Sequence, residues 1–393
     1  MMAGYLMARA GVEVAVLEKH ADFNRDFRGD TIHPSTLELM HELGLLEEFL
    51  KLPHQELVEL RGVINGHIVS IADFSHLPTR CKFIAFMPQW DFLNFLASHA
   101  KAFPTFALYM QHEVVDLLIE NERIVGVRVK APDGERIVRA DLVIGADGRH
   151  AVTHARGKLE LHEFGVPIDV LWTRLSKRED DPKQSLGFFR GGKLLVLLDR
   201  DDYFQVGFII PKGTFDDIKQ RGFPAFHADI VEIAAFLKDR IEELDDWTKI
   251  KLLTVQINRL RHWAREGLLC IGDSAHAMSP AGGVGINLAL QDAVATANLL
   301  ATKLKVGPVS LADLERVQAR REWPVRVIQR LQVFIHRRIN GRTSGAGDSL
   351  PFIGRLFRWF PVLRRLPARF IGLGPRPERI QSPAAILSPP STT

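Results

Sequence analysis

Apolar and polar positions along the chain follow two rhythms. The first is a set of short, largely apolar runs: Val12-Glu13-Val14-Ala15-Val16-Leu17, Leu142-Val143-Ile144 and Leu268-Leu269-Cys270-Ile271. Runs of this kind predict strands buried on both faces, the parallel-sheet type. Residues 1–10 are helix-forming and stop at Gly11, and Leu288 to Leu300 is apolar at helical period. Ser35 is placed to cap a helix through Leu37, Leu39 and Met40 towards Gly44, and Met87 to Leu93 opens another. The second rhythm is alternation of period two. It runs from Leu57 to Phe74 with a turn at Asn65-Gly66, and from Ile124 to Val138 with a turn at Asp133-Gly134. It returns at Lys193 to Leu198, Tyr203 to Ile210 and Ile250 to Ile257, interrupted by an amphipathic helix near Ala225 to Arg240. Parallel-type strands enclosing alternating ones predict an α/β fold. A doubly wound dinucleotide-type domain would occupy 1–56, 85–157 and 263–335, with an antiparallel substrate lobe inserted at 57–84 and 158–262 and an arm at 336–393.

Composition adds limits rather than identity. At 393 residues, 46% apolar and 25% charged, the chain is an ordinary globular protein large enough for two lobes. Its two cysteines, Cys81 and Cys270, have no metal-ligand spacing, and Cys270 lies in an apolar strand. We therefore expect no disulfide framework, no metal site and a reducing, cytoplasmic setting. No signal-peptide layout and no apolar run of 18 residues is evident. The net charge of +4 conceals an asymmetry: from Arg320 onward there are fourteen Arg, no Lys and three acidic residues, so +11 on the tail leaves −7 on residues 1–319. The stretch Pro351 to Phe360 mixes Arg with large apolar groups. It suits docking on the acidic body of its own chain or of a second subunit in a homodimer, the simpler reading, or peripheral contact with an anionic membrane. No nucleic-acid-reading motif accompanies it.

The chemistry concentrates in Gly272-Asp273-Ser274-Ala275-His276-Ala277-Met278-Ser279-Pro280-Ala281-Gly282-Gly283-Val284-Gly285-Ile286-Asn287. This is a strand end, a glycine-rich loop and a helix start, which together offer bare backbone N–H groups and the positive end of a helix dipole. Asp273 is placed to accept hydrogen bonds from hydroxyls. An ordinary strand-to-helix turn would share this local chemistry. Glu18 closes the first strand, where dinucleotide folds bind the adenosine ribose. Asp147 and Gly148 end the run Leu142 to Ala146, as a plain Asp-Gly turn would. His33 reads as structural. Leu171, Trp172, Phe188, Phe208 and Ile210 could line an aromatic pocket, but such a stripe is more often sheet core.

The string Gly272 to Ala293 resembles the GD-x-x-H-x-x-x-P-x-x-G-x-G-x-N motif of the flavin-dependent aromatic hydroxylases, the para-hydroxybenzoate hydroxylase-like group A monooxygenases. The resemblance implies FAD, with NADH or NADPH as co-substrate. It gives Gly272 and Asp273 to the ribityl chain, Pro280 to the flavin and substrate side, and Gly283, Gly285, Ile286 and Asn287 to the ring. It also implies Glu18 for the ribose, Arg28 near the diphosphate, Gln89 on the flavin side, and Asp147 with Gly148 against FAD and the nicotinamide cofactor. Ala151 and His154 stand where family members carry Ser and Arg, which weakens the expectation of tight nicotinamide binding. Gly4, Gly11 and Glu18 match only the later part of the N-terminal fingerprint; the first strand and the G-x-G-x-x-G glycines are not in the sequence, so we expect an N-terminally truncated form. The implied activity is hydroxylation of a small aromatic or similarly apolar molecule by oxygen through a flavin hydroperoxide. Another flavin oxidoreductase of the same fold, or a non-catalytic flavoprotein remnant, is the alternative.

Overall fold

The computed structural model describes residues 1–24, 30–183, 185–200, 202–340, 356–357 and 359–385. Helix α1 (Met2–Arg9) buries Tyr5, Leu6, Met7 and Ala8, and the chain leaves it at Gly11 with a φ of +82°. The strand Val14–Glu18 follows and pairs in parallel with Phe106–Met110. Gly4 lets α1 lie close on this pair, because a Cβ there would stand 2.6 Å from Val16 Cγ2. A second parallel ladder joins Val143–Gly145 to Leu268–Cys270. Among the described residues the two ladders belong to separate sheets, so the parallel layer is present in two pieces.

Helices α2 (Pro34–Glu42), α3 (Leu46–Phe49), α4 (Gln89–Ala100) and α5 (Val152–Arg156) follow in the chain. Ser35 does not cap α2. The N-cap is His33, Pro34 takes the first helical position, and the Ser35 hydroxyl donates instead to Asn287 Oδ1 at 2.8 Å. Proline's fixed φ already presets that first turn, which leaves the hydroxyl for a tertiary bond.

The inserted lobe is a seven-stranded sheet in the order Lys251–Leu253, Ile168–Ser176, Tyr203–Pro211, Lys193–Asp199, Leu186–Arg190, Glu59–Ile64, His67–Asp73. Its turn at Asn65-Gly66 has both residues at positive φ, as a two-residue hairpin loop requires. Helix α6 (Phe215–Ile233) covers one face, kinked at Gly222, and a 3-10 turn Ala235–Glu243 continues it. The expected helix at 225–240 thus starts ten residues earlier and tightens at its end. Leu171, Phe188, Phe208 and Ile210 pack under α6 against Phe226, Ile230 and Ile233; they are sheet core. Trp172 lies on the other face, over Gly207, where an added Cβ would sit 2.9 Å from its ring. The expected strand Ile250 to Ile257 is broken after Leu253. Asp169 takes the Val255 N–H at 3.0 Å and that of Gly213 at 3.0 Å, drawing the chain off the sheet edge.

Helices α7 (Val284–Leu304) and α8 (Leu311–Asn340) return to the first domain, and α9 (Arg365–Gly372) belongs to the arm. Residues Ala281–Leu304 are long and apolar enough to cross a membrane, yet 72% of the apolar stretch is buried inside the protein. This is the core helix: Leu6, Leu37, Phe49, Leu269, Val294 and Val325 share one cluster around it.

Candidate functional site

The loop after Leu268–Cys270 is shaped by glycines. Gly272, Gly282 and Gly283 have φ of +59°, +82° and +63°, conformations that side chains resist. A Cβ on Gly283 would meet Thr31 Oγ1 at 2.3 Å. Instead, Thr31 Oγ1 donates to the Gly283 carbonyl at 3.0 Å, and His33 Nε2 faces the same oxygen at 3.1 Å. Gly283 is the N-cap of α7 and has no side chain to cap it, so the N–H groups of the first turn, through Gly285 and Ile286, point out of the helix end without a side-chain acceptor from their cap. Asp273 lies against this end, its Oδ1 3.9 Å from where a Cβ on Gly285 would be. The structure therefore brings Gly272, Asp273, Gly283 and Gly285 together. Pro280 and Ile286 are half-buried beside them. Asn287 is buried, and its Oδ1 accepts from Ser35 and, at 3.1 Å, from Thr36.

Asp147 and Gly148 form the neighbouring corner. Asp147 accepts from Thr153 N at 2.9 Å and Thr153 Oγ1 at 2.6 Å, fastening the start of α5. Gly148, at φ +85°, has open space where its Cβ would be. The next residue, Arg149, is one that the sequence reading missed. Its Nε donates to Asp273 Oδ2 at 3.2 Å and its Nη2 to the Met278 carbonyl at 3.1 Å, tying the two corners. His154 contacts the Ser274 carbonyl through Nδ1 at 3.2 Å. Burial pushes the Cys270 thiol up to about 11, which keeps it protonated and inert.

Glu18 ends its strand half-buried, with Oε1 accepting the His20 N–H at 2.9 Å. Gln89 is the first residue of α4, and its backbone N–H supports the carboxyl of Asp30. Asp30 also bonds Arg200 of the inserted lobe, whose Nη2 reaches Gln205 Oε1 at 2.9 Å. Burial raises the Asp30 carboxyl to about 6 against the opposing pull of Arg200. Arg28 lies outside the described residues.

Behind the loop stands α8. Its residues Gln329, Gln332 and His336, spaced by three and four, occupy one helical face. Gln332 accepts from Ser279 N at 3.1 Å and donates to the carbonyls of Ser279 at 3.1 Å and Ala281 at 3.0 Å. Gln329 donates to Ala277 O at 3.1 Å and Asn258 O at 2.7 Å, and His336 bonds Ser279 Oγ at 2.8 Å. Two turns earlier, Arg321 donates to Asp292 Oδ1 at 3.0 Å, while Asp292 Oδ2 accepts from Gly272 N at 3.0 Å and His276 Nε2 at 2.6 Å. Burial alone would raise the Asp292 carboxyl; His276, Arg321 and the Gly272 N–H together hold it below its ordinary range. Arg321 Nη1 also reaches Glu378 of the arm at 3.2 Å. The sequence signal for this support was weak: glutamines and a histidine at helical spacing on an otherwise apolar face.

The chain is similar to known proteins in both sequence and fold. Residues 1–329 match the family described as FAD binding domain. The 6-methylpretetramide 4-monooxygenase of Streptomyces rimosus is 30% identical over 369 residues, which cover 92% of this chain and 88% of that protein. Rifampicin monooxygenase of Streptomyces venezuelae is 27% identical over 310 residues, covering 75% of this chain and 60% of its own length. Among solved structures, the anhydrotetracycline hydroxylase OxyS from Streptomyces rimosus shares the fold with a TM-score of 0.71 at 23% identity, over 94% of this chain and 73% of that one.

Proposed function

We propose, from the premise that the chain belongs to the FAD binding domain family and is an FAD-dependent monooxygenase, that its loop 272–287 carries the flavin for hydroxylation of an aromatic or similarly apolar molecule. One observation carries this reading. Asp273, Gly283 and Gly285 meet on a single bare edge at the start of α7, with the Asp273 side chain 34% exposed and open to further donors. The cradle fits the cofactor because side chains are missing from it: bulk at Gly283 would strike Thr31, and Gly285 leaves the edge beside Asp273 and Met278 bare.

In this reading Asp273 accepts hydrogen bonds from the ribityl hydroxyls, and Gly272 gives it its turn. Gly283, Gly285, Ile286 and Asn287 form the floor under the ring, and Pro280 closes the side toward the substrate. Glu18 holds the adenosine ribose. Arg28 lies near the diphosphate, Asp147 and Gly148 lie against FAD and the nicotinamide cofactor, and Gln89 lies on the flavin side. When bound, FAD supplies the redox chemistry, taking electrons from NADH or NADPH and using oxygen on the substrate. The protein supplies position and field. The start of α7 favours negative charge on its ligand by about 0.3–1 kcal/mol, more in a dry site. Buried Ala277 and Met278 exclude water on one flank. The free, buried Cys81 and Cys270 support a reducing, cytoplasmic setting.

The test is direct. Purified protein supplied with FAD should turn yellow and consume NAD(P)H and oxygen with an aromatic compound. Asp273→Ala should weaken FAD retention by about ten-fold or more, the worth of a hydrogen bond to a charged group, without changing the circular dichroism. Unchanged retention would refute the ribityl role.

A further inference from the structure

The arm has two unlike faces. Ala368 and Gly372, four residues apart on α9, form its seat on the body. A Cβ on Gly372 would stand 2.7 Å from Leu77 Cδ1 and 3.3 Å from both Phe74 and Pro34, so the helix lies close there. Beyond it, Arg379 pairs with Glu42 at 2.7 Å and Glu38 at 3.4 Å, and Arg320 with Glu378 at 2.8 Å. These contacts join the later part of the arm to the body; most of the stretch Pro351 to Phe360, for which docking is expected, lies outside the described residues.

The outward face is different. Trp359, Phe360, Val362 and Leu366 are 71%, 56%, 62% and 68% exposed, four large apolar side chains within eight positions. Arg365 and Arg369 are exposed on the same short helix. A soluble surface rarely gathers bulky apolar groups so densely without something to receive them. The guanidinium groups of Arg365 and Arg369 beside them narrow the choice, since they pair with phosphate in a bidentate manner while the apolar neighbours dip below. Of the acids around the arm, Glu38 and Glu42 are paired to Arg379, and Glu378 to Arg320 and Arg321 of α8. Arg365 reaches His76 Nε2 at 3.3 Å beside Asp73, while its exposed position leaves the guanidinium open to solvent.

We propose that this face seats the enzyme on an anionic lipid bilayer. Trp359, Phe360, Val362 and Leu366 enter the boundary between headgroups and acyl chains, and Arg365 and Arg369 meet lipid phosphates. The seat lies next to the candidate site. Ile371 O, on α9, accepts from His33 Nδ1 at 2.7 Å, and the other ring nitrogen of His33 faces Gly283 O. One residue therefore separates the lipid-facing helix from the loop of the flavin cradle, a place from which an apolar substrate dissolved in the bilayer is within short reach. The proposal does not depend on the flavin reading, because lipid binding needs no cofactor.

The experiment is co-sedimentation of the full chain with vesicles of phosphatidylcholine, alone or mixed equally with phosphatidylglycerol. Binding to the mixed vesicles and not to the neutral ones is expected, weakening as salt rises. Arg365→Gln with Arg369→Gln should weaken it roughly thirty-fold, from the usual effect of two basic residues at such a surface. Trp359→Ser with Phe360→Ser should abolish it. Both pairs are surface changes, and unaltered thermal melting would show that they fold. Absence of binding to mixed vesicles, or equal binding to neutral ones, would overturn the proposal. So would a dimer seen by light scattering that the same variants dissolve, which would assign the face to a second copy of the chain.

Discussion

The two ends of the candidate cofactor site are built on opposite physical plans. At the loop end, the backbone from Gly272 to Ala281 is tied by buried polar side chains: Asp292 on Gly272, Asn258 on Ala277, and Gln332 on Ser279 and Ala281. At the other end, Glu18 is held by an apolar helix lying on its strand, with Gly4 against Val16, and its carboxylate bonds a neighbouring backbone N–H. The difference matches what the proposed reading asks of each end. A flat ring needs a floor fixed to within a fraction of an ångström, which tethered backbone provides. On the proposed reading, a ribose at the strand end needs an acceptor that can reach it, which a half-buried acid provides.

Removing supports in turn should expose this contrast. The largest loss is expected from Arg321→Met, which leaves Asp292 and Glu378 buried without their shared guanidinium. Breaking a buried pair typically costs about 3–5 kcal/mol, and a thermal melt that moves little would sink the idea that this network holds the loop. Next comes the junction between the lobes, Asp30. Its folded pKa of about 6 lies above the ordinary carboxyl value of 3.8. Its favourable contribution is therefore complete below pH 4 and lost as pH rises through 6. Asp30→Asn should match the wild type at pH 4 and be the more stable by up to about 3 kcal/mol at pH 7. Urea unfolding at the two pH values measures this, and a constant difference would contradict it. Gln332→Leu strips three bonds from the loop and strands their backbone partners. About 1–3 kcal/mol of stability should go, together with weaker FAD binding in a flavin-fluorescence titration. Glu18→Gln should do least: less than about 0.5 kcal/mol in the melt, as for other surface changes, with the effect confined to FAD affinity. A destabilisation equal to that of Gln332→Leu would erase the distinction between the two ends.

The parts of this architecture that were legible in the sequence are those written locally. The stop at Gly11, the positive-φ pair Asn65-Gly66 and the hairpin Arg123–Ala131 with Gly134–Arg139 depend on neighbours a few residues apart. So does the glycine pattern after Gly272. The clamp from α8 was barely legible: Gln329, Gln332 and His336 stand at helical spacing, but the residues they bond are more than fifty positions away and nothing local names them. The same holds for Asp169, which breaks the strand at Leu253 from across the lobe. Ser35 misled for a related reason: its local fitness as a cap was overridden by a tertiary acceptor, Asn287.

The arm's attachment points set an order in time. Glu378 completes the ion network behind Gly272, and its backbone N–H bonds Gln291. A few residues on, Arg9 donates to Ser382 O and Ala385 N bonds Arg9 O at 2.7 Å, which closes the arm over α1. Both ends of the candidate site thus await residues 378–385, which the ribosome makes after the elements they hold. During synthesis at about 5–20 residues per second, the growing chain would hold the loop through Asp292, Asn258 and Gln332 alone until residue 378 arrives to complete the ion network. A transcript cut short before residue 378 would yield protein that keeps the direct ties on its loop but lacks the carboxylate that completes the network around Arg321.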